Sequence, residues 1–267
     1  MPDKAFRFNL GRFKCLVVSD GTLLDAPGEP GEGPAREPQV HHLNCLFIDT
    51  GEHRLLVDTG CGDGFQPTAG KLVRNLEAEG IKPADIDRII FTHGHLDHVG
   101  GAFDAEARPV FPNARYITSE KEWECWVTPA EKTDLQHMFF ASARQHLLPR
   151  RAQFDLVKDN AEVFPGIRLI AAPGHTPGLT MLEMASGGEG LLCIGDIIHS
   201  RLELAQPDYY ALFDVAPQLA VHTRSRALSQ AARSRTLVFA CHFPFPGLGH
   251  MVAKGESLSW RPLADMA

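Results

Sequence analysis

The chain has no apolar run long enough to cross a membrane and no apolar segment near its first residues. A membrane span needs about eighteen or more mostly apolar residues, and a secretory signal peptide needs an apolar core close to the N-terminus. Lys and Arg number 26 against 33 Asp and Glu, which gives a formal net charge of −7 at pH 7. This acidic balance argues against a nucleic-acid partner, because phosphate backbones attract basic surfaces. We therefore expect a cytoplasmic protein that binds neither membrane nor nucleic acid.

Paired cysteines and a serine-hydrolase motif are also absent. The six cysteines occur singly, with no C-x-x-C pair among them: Cys15, Cys45, Cys61, Cys125, Cys193 and Cys241. This spacing argues against a zinc ribbon, and a chain of 267 residues can bury a core without a disulfide framework. We expect the cysteines to be buried as small apolar side chains. A G-x-S-x-G elbow is missing as well, so the sequence indicates no serine nucleophile.

Histidine is abundant instead, with thirteen residues, and part of it is concentrated in one place. Three histidines and an aspartate fall within six consecutive residues, directly after an apolar segment: His93, His95, Asp97 and His98. Imidazole and carboxylate groups are the usual protein ligands of zinc and similar divalent metals. Side chains alternate along an extended segment, which puts His93 and His95 on the same side. Four ligand groups at this density predict one part of a two-metal centre.

Three further candidate ligands each follow a predicted apolar strand. The strands lie at 167–172, 191–195 and 236–241, and the residues that follow them are His175, Asp196 and His242. Catalytic groups in layered α/β proteins commonly lie at strand ends, where loops from different strands meet. Because a metal-ligating residue recurs after several separate strands, the pattern favours one shared site over isolated surface residues.

The remaining pattern predicts alternating strands and helices in a single domain at 1–267. Strands are predicted at 13–18, 42–48, 54–58, 86–91 and 115–118, turns at 19–21 and 50–53, and helices at 71–78 and 216–234. Residues 119–149 are predicted to be a mostly helical insertion. The segment 26–39 is rich in Gly and Pro, and we predict a flexible loop there, either a surface insertion or a lid over the site.

The sequence resembles the metallo-β-lactamase superfamily in its two-metal hydrolase form on seven residues: His93, His95, Asp97, His98, His175, Asp196 and His242. The resemblance implies an α/β fold, a four-layer αββα sandwich, with the site at one edge between two β-sheets. Within the superfamily, the chain looks most like the methyl parathion hydrolase-like and lactonase branch. The blocks that carry this likeness are 19–22, 57–60, 111–114, 173–178, 195–199 and 242–250.

The resemblance also implies how these ligands are shared between two metal ions. One ion would be held by His93, His95 and His175, the other by Asp97, His98 and His242, with Asp196 and a hydroxide bridging both. The expected cofactors are two divalent ions, with zinc the first choice and manganese, cobalt or iron as alternatives. Members of the branch are often dimeric, so a homodimer is expected.

Members of this branch hydrolyse lactones, aryl esters or organophosphate triesters. The implied reaction is attack of the bridging hydroxide on a lactone or another carboxylic or aryl ester, with organophosphate triester hydrolysis as a side activity. The expected catalytic residues are Asp97, Asp196 and His199. Asp97 would return a proton to the leaving oxygen, and His199 would assist as an acid or orient the substrate. Acyl-homoserine-lactone lactonases typically carry a tyrosine where this chain has His199, which leaves the identity of the ester open.

Aromatic residues near the predicted site are candidates for the walls of a substrate pocket. Three lie in the predicted helical insertion and three follow the bridging aspartate: Trp126, Phe139, Phe140, Tyr209, Tyr210 and Phe213. Their spacing is equally compatible with packing in the core. An apolar cleft in an acidic protein suits an uncharged small-molecule ester better than a polyanion.

Two other activities occur on the same fold. A thioester hydrolase of the glyoxalase II type shares the ligand series, but it uses basic residues in a C-terminal helical extension that this sequence does not show after His250. A mononuclear-iron dioxygenase generally keeps fewer ligands at the second metal, whereas Asp97, His98 and His242 are all present here. A lactone or ester hydrolase is therefore the preferred interpretation.

Overall fold

Two seven-stranded β-sheets form the centre of the molecule in the computed structural model. The structure describes residues 4–24, 39–128, 140–141, 143–211, 213–255 and 257–263. Within these ranges, no helix has the length and apolar character that a membrane crossing requires.

The first sheet follows the order of the chain. Its strands are β1 (Ala5–Leu10), β2 (Phe13–Leu24), β3 (Val40–Asp49), β4 (Arg54–Val57), β5 (Arg88–Ile90), β6 (Arg115–Ser119) and β7 (Phe154–Val157). Strands β1 to β4 pair antiparallel, and β4 to β7 pair parallel. The antiparallel pairing of β3 with β4 confirms the predicted hairpin at 50–53.

The second sheet is also sequential and is mostly antiparallel. Its strands are β8 (Glu162–Phe164), β9 (Ile167–Ala171), β10 (Thr180–Ser186), β11 (Glu189–Cys193), β12 (Leu237–Phe239), β13 (Leu248–Lys254) and β14 (Ser257–Pro262). Only the β11–β12 pair among these described strands is parallel. The parallel pairing brings the C-terminal ends of β11 and β12 to the same edge of the sheet.

Helices cover the outer face of each sheet. They are α1 (Leu72–Ala78), α2 (Leu96–Val99), α3 (Glu120–Val127), α4 (Leu202–Ala205) and α5 (Pro217–Ser234). Shorter 3₁₀ segments lie at Pro83–Asp85, Gly100–Ala102, Leu148–Gln153 and Gly195–Ile197, and a π-helical turn lies at Ala143–Leu147.

Three apolar clusters hold these layers together. The central cluster joins the two sheets, since it contains both Leu46 of β3 and Leu182 of β10. A second cluster joins the first sheet to α1 and α3, and a third joins the second sheet to α5, which contributes Leu228. Burial of apolar surface on both faces of both sheets stabilises the four-layer αββα sandwich. This arrangement confirms the fold class expected from the sequence.

Strand β2 shows how the sequence builds the layers. Cys15 and Val17 point into the central cluster, whereas Leu16 and Val18 point into the outer one. Successive side chains of a strand face opposite sides of the sheet. Because both sides are covered here, the strand is a continuous apolar run rather than an alternating pattern.

The turn predicted at residues 19–21 is wrong. Strand β2 continues through this segment, with a shift of register against β3 between Ser19 and Gly21, and the turn between β1 and β2 lies at residues 11–12 instead. The Asp20 carboxylate accepts backbone N–H bonds from Cys61 and Leu72. Residues that commonly favour turns serve here to form a bulge and to anchor a neighbouring loop.

Two predicted segments fall partly outside the described residues. Of the loop predicted at 26–39, the structure describes only residue 39. Of the insertion predicted at 119–149, residues 120–127 form α3 and residues 143–147 form the π-helical turn, whereas residues 129–139 and 142 are not described.

Candidate metal centre

The histidine-rich loop between β5 and α2 supplies four of the candidate ligands. His93 and His95 lie in the loop, and Asp97 and His98 lie in the four-residue helix α2 that begins after His95. The loop is packed tightly against α3, because a Cβ atom placed on Gly94 would come within 2.1 Å of Trp126 Nε1. Glycine at position 94 therefore allows the two neighbouring imidazoles to turn inward from a closely packed backbone.

The other three ligands come from the second sheet. His175 follows β9, Asp196 follows β11, and His242 follows β12. His175, Asp196 and His242 are each at most 5% exposed. Their strands end at the edge of the sandwich where β5 of the first sheet also ends, so all seven residues predicted from the sequence meet in one place.

Asp196 lies at the centre of this group. Its Oδ2 atom is 3.1 Å from Nε2 of His242, 3.5 Å from Nε2 of His175 and 3.8 Å from Nε2 of His93. Its Oδ1 atom is 3.2 Å from Nε2 of His98. The two carboxylate oxygens thus face both halves of the site, as a bridging ligand requires.

The ligand atoms form three overlapping sets, with the atoms of each set within 4.8 Å of one another. The first set is His93, His95 and His175, the second is Asp97, His98, Asp196 and His242, and the third is His175, Asp196 and His199. Ligand atoms bound to one tetrahedral zinc at about 2.1 Å lie about 3.4 Å apart. The separations of 3.5 Å and 3.6 Å from Asp97 Oδ2 to His98 and His242 agree with that spacing.

Unpartnered buried nitrogen atoms give an independent test of whether a metal fits. The Nε2 atoms of His93 and His98 are buried and have no hydrogen-bond partner among the described residues. Buried polar atoms are normally paired, and here both atoms face Asp196. Burial, followed by nearby histidines, lowers the pKa of His93 well below its usual value, which keeps a lone pair available. The donor set therefore fits two zinc ions.

A second layer of groups orients the imidazoles. Each of three histidines has its Nδ1 atom within hydrogen-bond distance of an oxygen: His98 with Asp58 at 2.8 Å, His175 with Asp214 at 2.9 Å, and His242 with the His42 carbonyl at 2.9 Å. Such partners fix the tautomer and point Nε2 towards a metal.

Asp58 is one of the functional residues that the sequence did not reveal. Its carboxylate accepts the backbone N–H of Thr92 at 2.8 Å and the Thr92 hydroxyl at 2.8 Å, besides contacting His98. Its backbone has φ 61°, in the left-handed region that residues other than glycine seldom adopt. The signals in the sequence were its place in the block 57–60, which carries the family likeness, and an aspartate immediately after a strand, which is also common in ordinary turns.

Glu122 of α3 is a second residue that the sequence did not reveal. Its buried carboxylate accepts the backbone N–H of Gly94 at 2.8 Å, the Thr176 hydroxyl at 2.6 Å and the backbone N–H of Gly178 at 3.2 Å. One side chain thus connects the loop of His93 and His95 to the loop of His175. Nothing local in the sequence distinguishes Glu122 from the exposed acidic residues around it.

His199 also reaches the site. Its Nε2 atom lies 3.4 Å from Asp196 Oδ2, and its ring centroid lies 4.9 Å from that of His175. Its Nδ1 atom faces Glu203 Oε1 at 3.3 Å. Burial opposes a charged ring, but the Glu203 and Asp196 carboxylates outweigh burial and raise the pKa of His199 well above its usual value.

The predicted pocket residues have different outcomes. The centroid of the Phe140 ring lies 5.0 Å from that of His95, and the centroid of the Phe213 ring lies 5.6 Å from that of His175, so both rings border candidate ligands. Tyr210 is 52% exposed. Tyr209 is partly buried, and its backbone carbonyl accepts a bond from Arg224.

Trp126 does not line a pocket, contrary to the prediction. It is fully buried, packs against Trp123 and Phe154, and donates its Nε1–H to Glu122 at 3.0 Å. The helical face that carries Trp126 is turned towards the first sheet, so the ring supports the metal loop from behind. Phe139, the remaining predicted pocket residue, lies outside the described residues.

Comparisons with known proteins agree with this geometry. An N-acyl homoserine lactonase from Bacillus thuringiensis is 26% identical over 219 residues, which cover 74% of this chain and 80% of the relative. The structure of AidC, described as a dizinc quorum-quenching lactonase in complex with a product, is similar with a TM-score of 0.88 and 26% identity over 97% of this chain and 98% of that chain. The structure of the hydrolase AbOPH is similar with a TM-score of 0.89 and 27% identity over 98% of each chain.

The family itself follows from the fold, the ligand set and the sequence together. Residues 39–242 match the model of the Metallo-beta-lactamase superfamily, which is more than half of the chain. This range contains all seven candidate ligand residues. The chain belongs to the metallo-β-lactamase superfamily and is a metal-dependent hydrolase.

Proposed function

We propose that the chain is a dinuclear zinc lactonase that opens the ring of an N-acyl homoserine lactone or a closely related lactone. One observation carries this proposal: seven buried or nearly buried His and Asp side chains, Asp196 among them, lie together in a chain similar over almost its whole length to a dizinc lactonase. The ester linkage of a lactone is uncharged, which suits a site with the apolar rings of Phe140 and Phe213 beside its histidines.

We propose that the residues divide between the two ions as the family resemblance implies. His93, His95 and His175 would hold one ion, Asp97, His98 and His242 the other, and Asp196 both. When bound, two zinc ions supply Lewis acidity that polarises the ester carbonyl and lowers the pKa of a water at the site.

The chain's own residues provide the proton transfers and the orientation. Asp97, whose side chain is 20% exposed, is the most exposed of the seven candidate ligands and is proposed to return a proton to the leaving oxygen. His199, whose Nε2 atom lies 3.4 Å from Asp196 Oδ2, is proposed to orient the substrate or to act as an acid. The surrounding apolar rings exclude water from the reacting ester.

A second activity shares the same attack geometry. Hydrolysis of an organophosphate triester also needs an activated water and a polarised oxygen, at phosphorus instead of carbon. We propose it as a weaker side activity. A cytoplasmic location and a homodimer are further predictions, and light scattering on the purified protein would test the dimer.

A substrate panel tests the proposed activity. The zinc-loaded protein is assayed on N-hexanoyl homoserine lactone, an aryl ester, a phosphotriester, a glutathione thioester and a β-lactam, with metal-stripped protein as the control. We expect the highest kcat/KM on the lactone and recovery of the stripped sample when zinc is restored. A preference for the thioester would favour the glyoxalase II alternative and contradict the proposal.

A further inference from the structure

A buried ion pair lies next to His199 and has no part in the metal-binding set. Glu203 of α4 is 3% exposed and Arg224 of α5 is 4% exposed, and Arg224 NH1 donates to Glu203 Oε2 at 2.5 Å. Removing two charges from water is costly, and an apolar pair of similar size often stabilises a fold equally well. Packing of α4 on α5 therefore does not by itself explain why this pair is charged.

The contacts of Glu203 are concentrated on one short segment. Its Oε1 atom accepts the backbone N–H of His199 at 2.7 Å and that of Ser200 at 3.0 Å. The same oxygen lies 3.3 Å from the His199 Nδ1 atom. Glu203 thus holds the backbone of His199 by a hydrogen bond and lies close to its ring.

Arg224 fixes the other side of that segment. Besides Glu203, its guanidinium donates to the backbone carbonyls of Pro207 and Tyr209. A planar guanidinium presents several donors in a rigid fork, so one side chain of the long helix α5 holds Glu203 and the chain that follows it. The position of the His199 ring is therefore set from α5, through Glu203.

The arrangement at His199 repeats that of the metal-ligating histidines. His98 and His175 each present Nδ1 to a buried carboxylate, Asp58 or Asp214, and turn Nε2 towards the centre of the site. His199 presents Nδ1 to Glu203 and has Nε2 3.4 Å from Asp196 Oδ2. Neither His199 nitrogen has a well-aligned hydrogen bond among the described residues. Contacts of this kind are often loose before substrate binds and tighten afterwards.

We propose that Glu203 is a positioning residue for His199 and that Arg224 holds Glu203 in place. Glu203 accepts the Nδ1–H of His199 and so directs Nε2 towards Asp196, beside which the ester is proposed to bind. This role rests on the proposed function only in that His199 acts on the bound ester. Glu203 affects turnover only by orienting His199.

A double-mutant cycle tests this assignment. The variants Glu203→Gln, His199→Ala and the double variant are loaded with zinc, and kcat, KM and zinc content are measured for the best substrate of the panel. We expect Glu203→Gln to lower kcat by about 10- to 100-fold, as loss of such an orienting partner commonly does. Zinc content should be unchanged, KM should change by less than about threefold, and Glu203→Gln should have no further effect when His199 is already alanine.

Two results of the cycle would overturn the proposal. Independent effects of the two substitutions would show that Glu203 acts through the fold and not through His199. Loss of zinc from His199→Ala would show instead that His199 is a metal ligand. If Glu203→Gln does not fold, Arg224→Lys is tested instead, because lysine keeps the positive charge beside Glu203 but lacks the forked guanidinium. We expect Arg224→Lys to lower kcat by less than Glu203→Gln would, and to have no effect on kcat in the His199→Ala background.

A measurement without substrate separates this proposal from the proposed function. ¹⁵N-histidine NMR of the zinc-loaded wild-type protein reports which nitrogen of His199 carries the hydrogen, with His199→Ala used to assign the signal. We expect the proton on Nδ1, whatever ester the enzyme prefers. A neutral ring protonated only on Nε2 would contradict the role of Glu203, even in an enzyme that hydrolyses lactones.

Discussion

At the scale of single residues, Asp196 links the two halves of the metal centre. Its Oδ1 atom lies 3.2 Å from Nε2 of His98 in one half, and its Oδ2 atom lies 3.5 Å from Nε2 of His175 in the other. Burial disfavours the charged carboxylate, but His242 and His98 outweigh burial and hold the pKa of Asp196 well below its usual value. The carboxylate is therefore ionised and available to both ions.

Removal of this carboxylate should empty both sites together. We expect Asp196→Ala to retain less than about one-tenth of the zinc affinity and to lose turnover in parallel, because each ion loses a charged ligand. Metal analysis after dialysis, combined with the lactone assay, measures both quantities. Asp155→Ala is the matched control, since Asp155 is an exposed aspartate paired with Arg115. A variant that kept two zinc ions and normal turnover would contradict the bridging role.

The cysteines make a second prediction at this scale. All six are buried, and burial raises the pKa of Cys15 and that of Cys193 to about 12. The thiolate is the reactive form, so at pH 8 only about one molecule in ten thousand carries it at either position. We expect Ellman's reagent to react slowly with the native protein and to release six equivalents after denaturation. Rapid reaction of a native thiol would show that the core around it opens readily.

Residue type and position were sufficient to predict seven candidate ligands that lie together in the structure, but not the groups behind them. The ligands follow apolar strands, and His, Asp and His at such positions have few other uses. Asp58 contacts His98, which is 40 residues away in the sequence, and no local sequence pattern predicts a contact between residues so far apart. Trp126 was assigned to the pocket wrongly, because helical periodicity identifies a face of a helix but not the layer that it meets.

At the scale of elements, the short helix α3 connects the two loops that carry histidine ligands. Its N-cap residue, Ser119, accepts the backbone N–H of Glu122 at 3.0 Å and donates to the Gly178 carbonyl at 2.8 Å. Glu122 then reaches Gly94 on one side and Thr176 on the other. The relative position of the two loops thus depends on one turn of helix.

Loss of the Glu122 carboxylate should weaken both the fold and the metal site. Glu122→Ala leaves several buried donors unpaired, and each unsatisfied donor costs about 1–3 kcal/mol. We expect the free energy of unfolding to fall by about 3 kcal/mol or more, with weaker zinc binding, in urea denaturation and metal titration. Glu124→Ala, an exposed position on the same helix, is the control and should change stability by less than about 0.5 kcal/mol. Equal effects of the two substitutions would contradict the connecting role.

The elements themselves were predicted best where the pattern is local. The hairpin between β3 and β4 was predicted because turn residues lie between two apolar segments. The bulge in β2 was missed, because residues such as Ser19 and Gly21 occur both in turns and in bulges. Only the pairing of β2 with β3 distinguishes a bulge from a turn here.

At the scale of the whole molecule, the metal centre exists only where the two sheets meet. The first sheet contributes the residues at 93–98, and the second contributes His175, Asp196 and His242. The central apolar cluster holds the sheets face to face and so sets the distances between these ligands. The layered fold could be predicted from the ligand series through family resemblance, whereas the packing of the layers depends on contacts that no single segment records.

The most direct test of the central claim is a zinc titration of the metal-stripped protein, with lactone hydrolysis and bound zinc measured at each step. Two ions that share Asp196 should both be needed to activate water and to polarise the ester. We predict that activity rises to a plateau at about two equivalents of zinc per chain. Full activity at one equivalent, or lactone hydrolysis by protein without metal, would contradict the account of this chain as a dinuclear zinc lactonase.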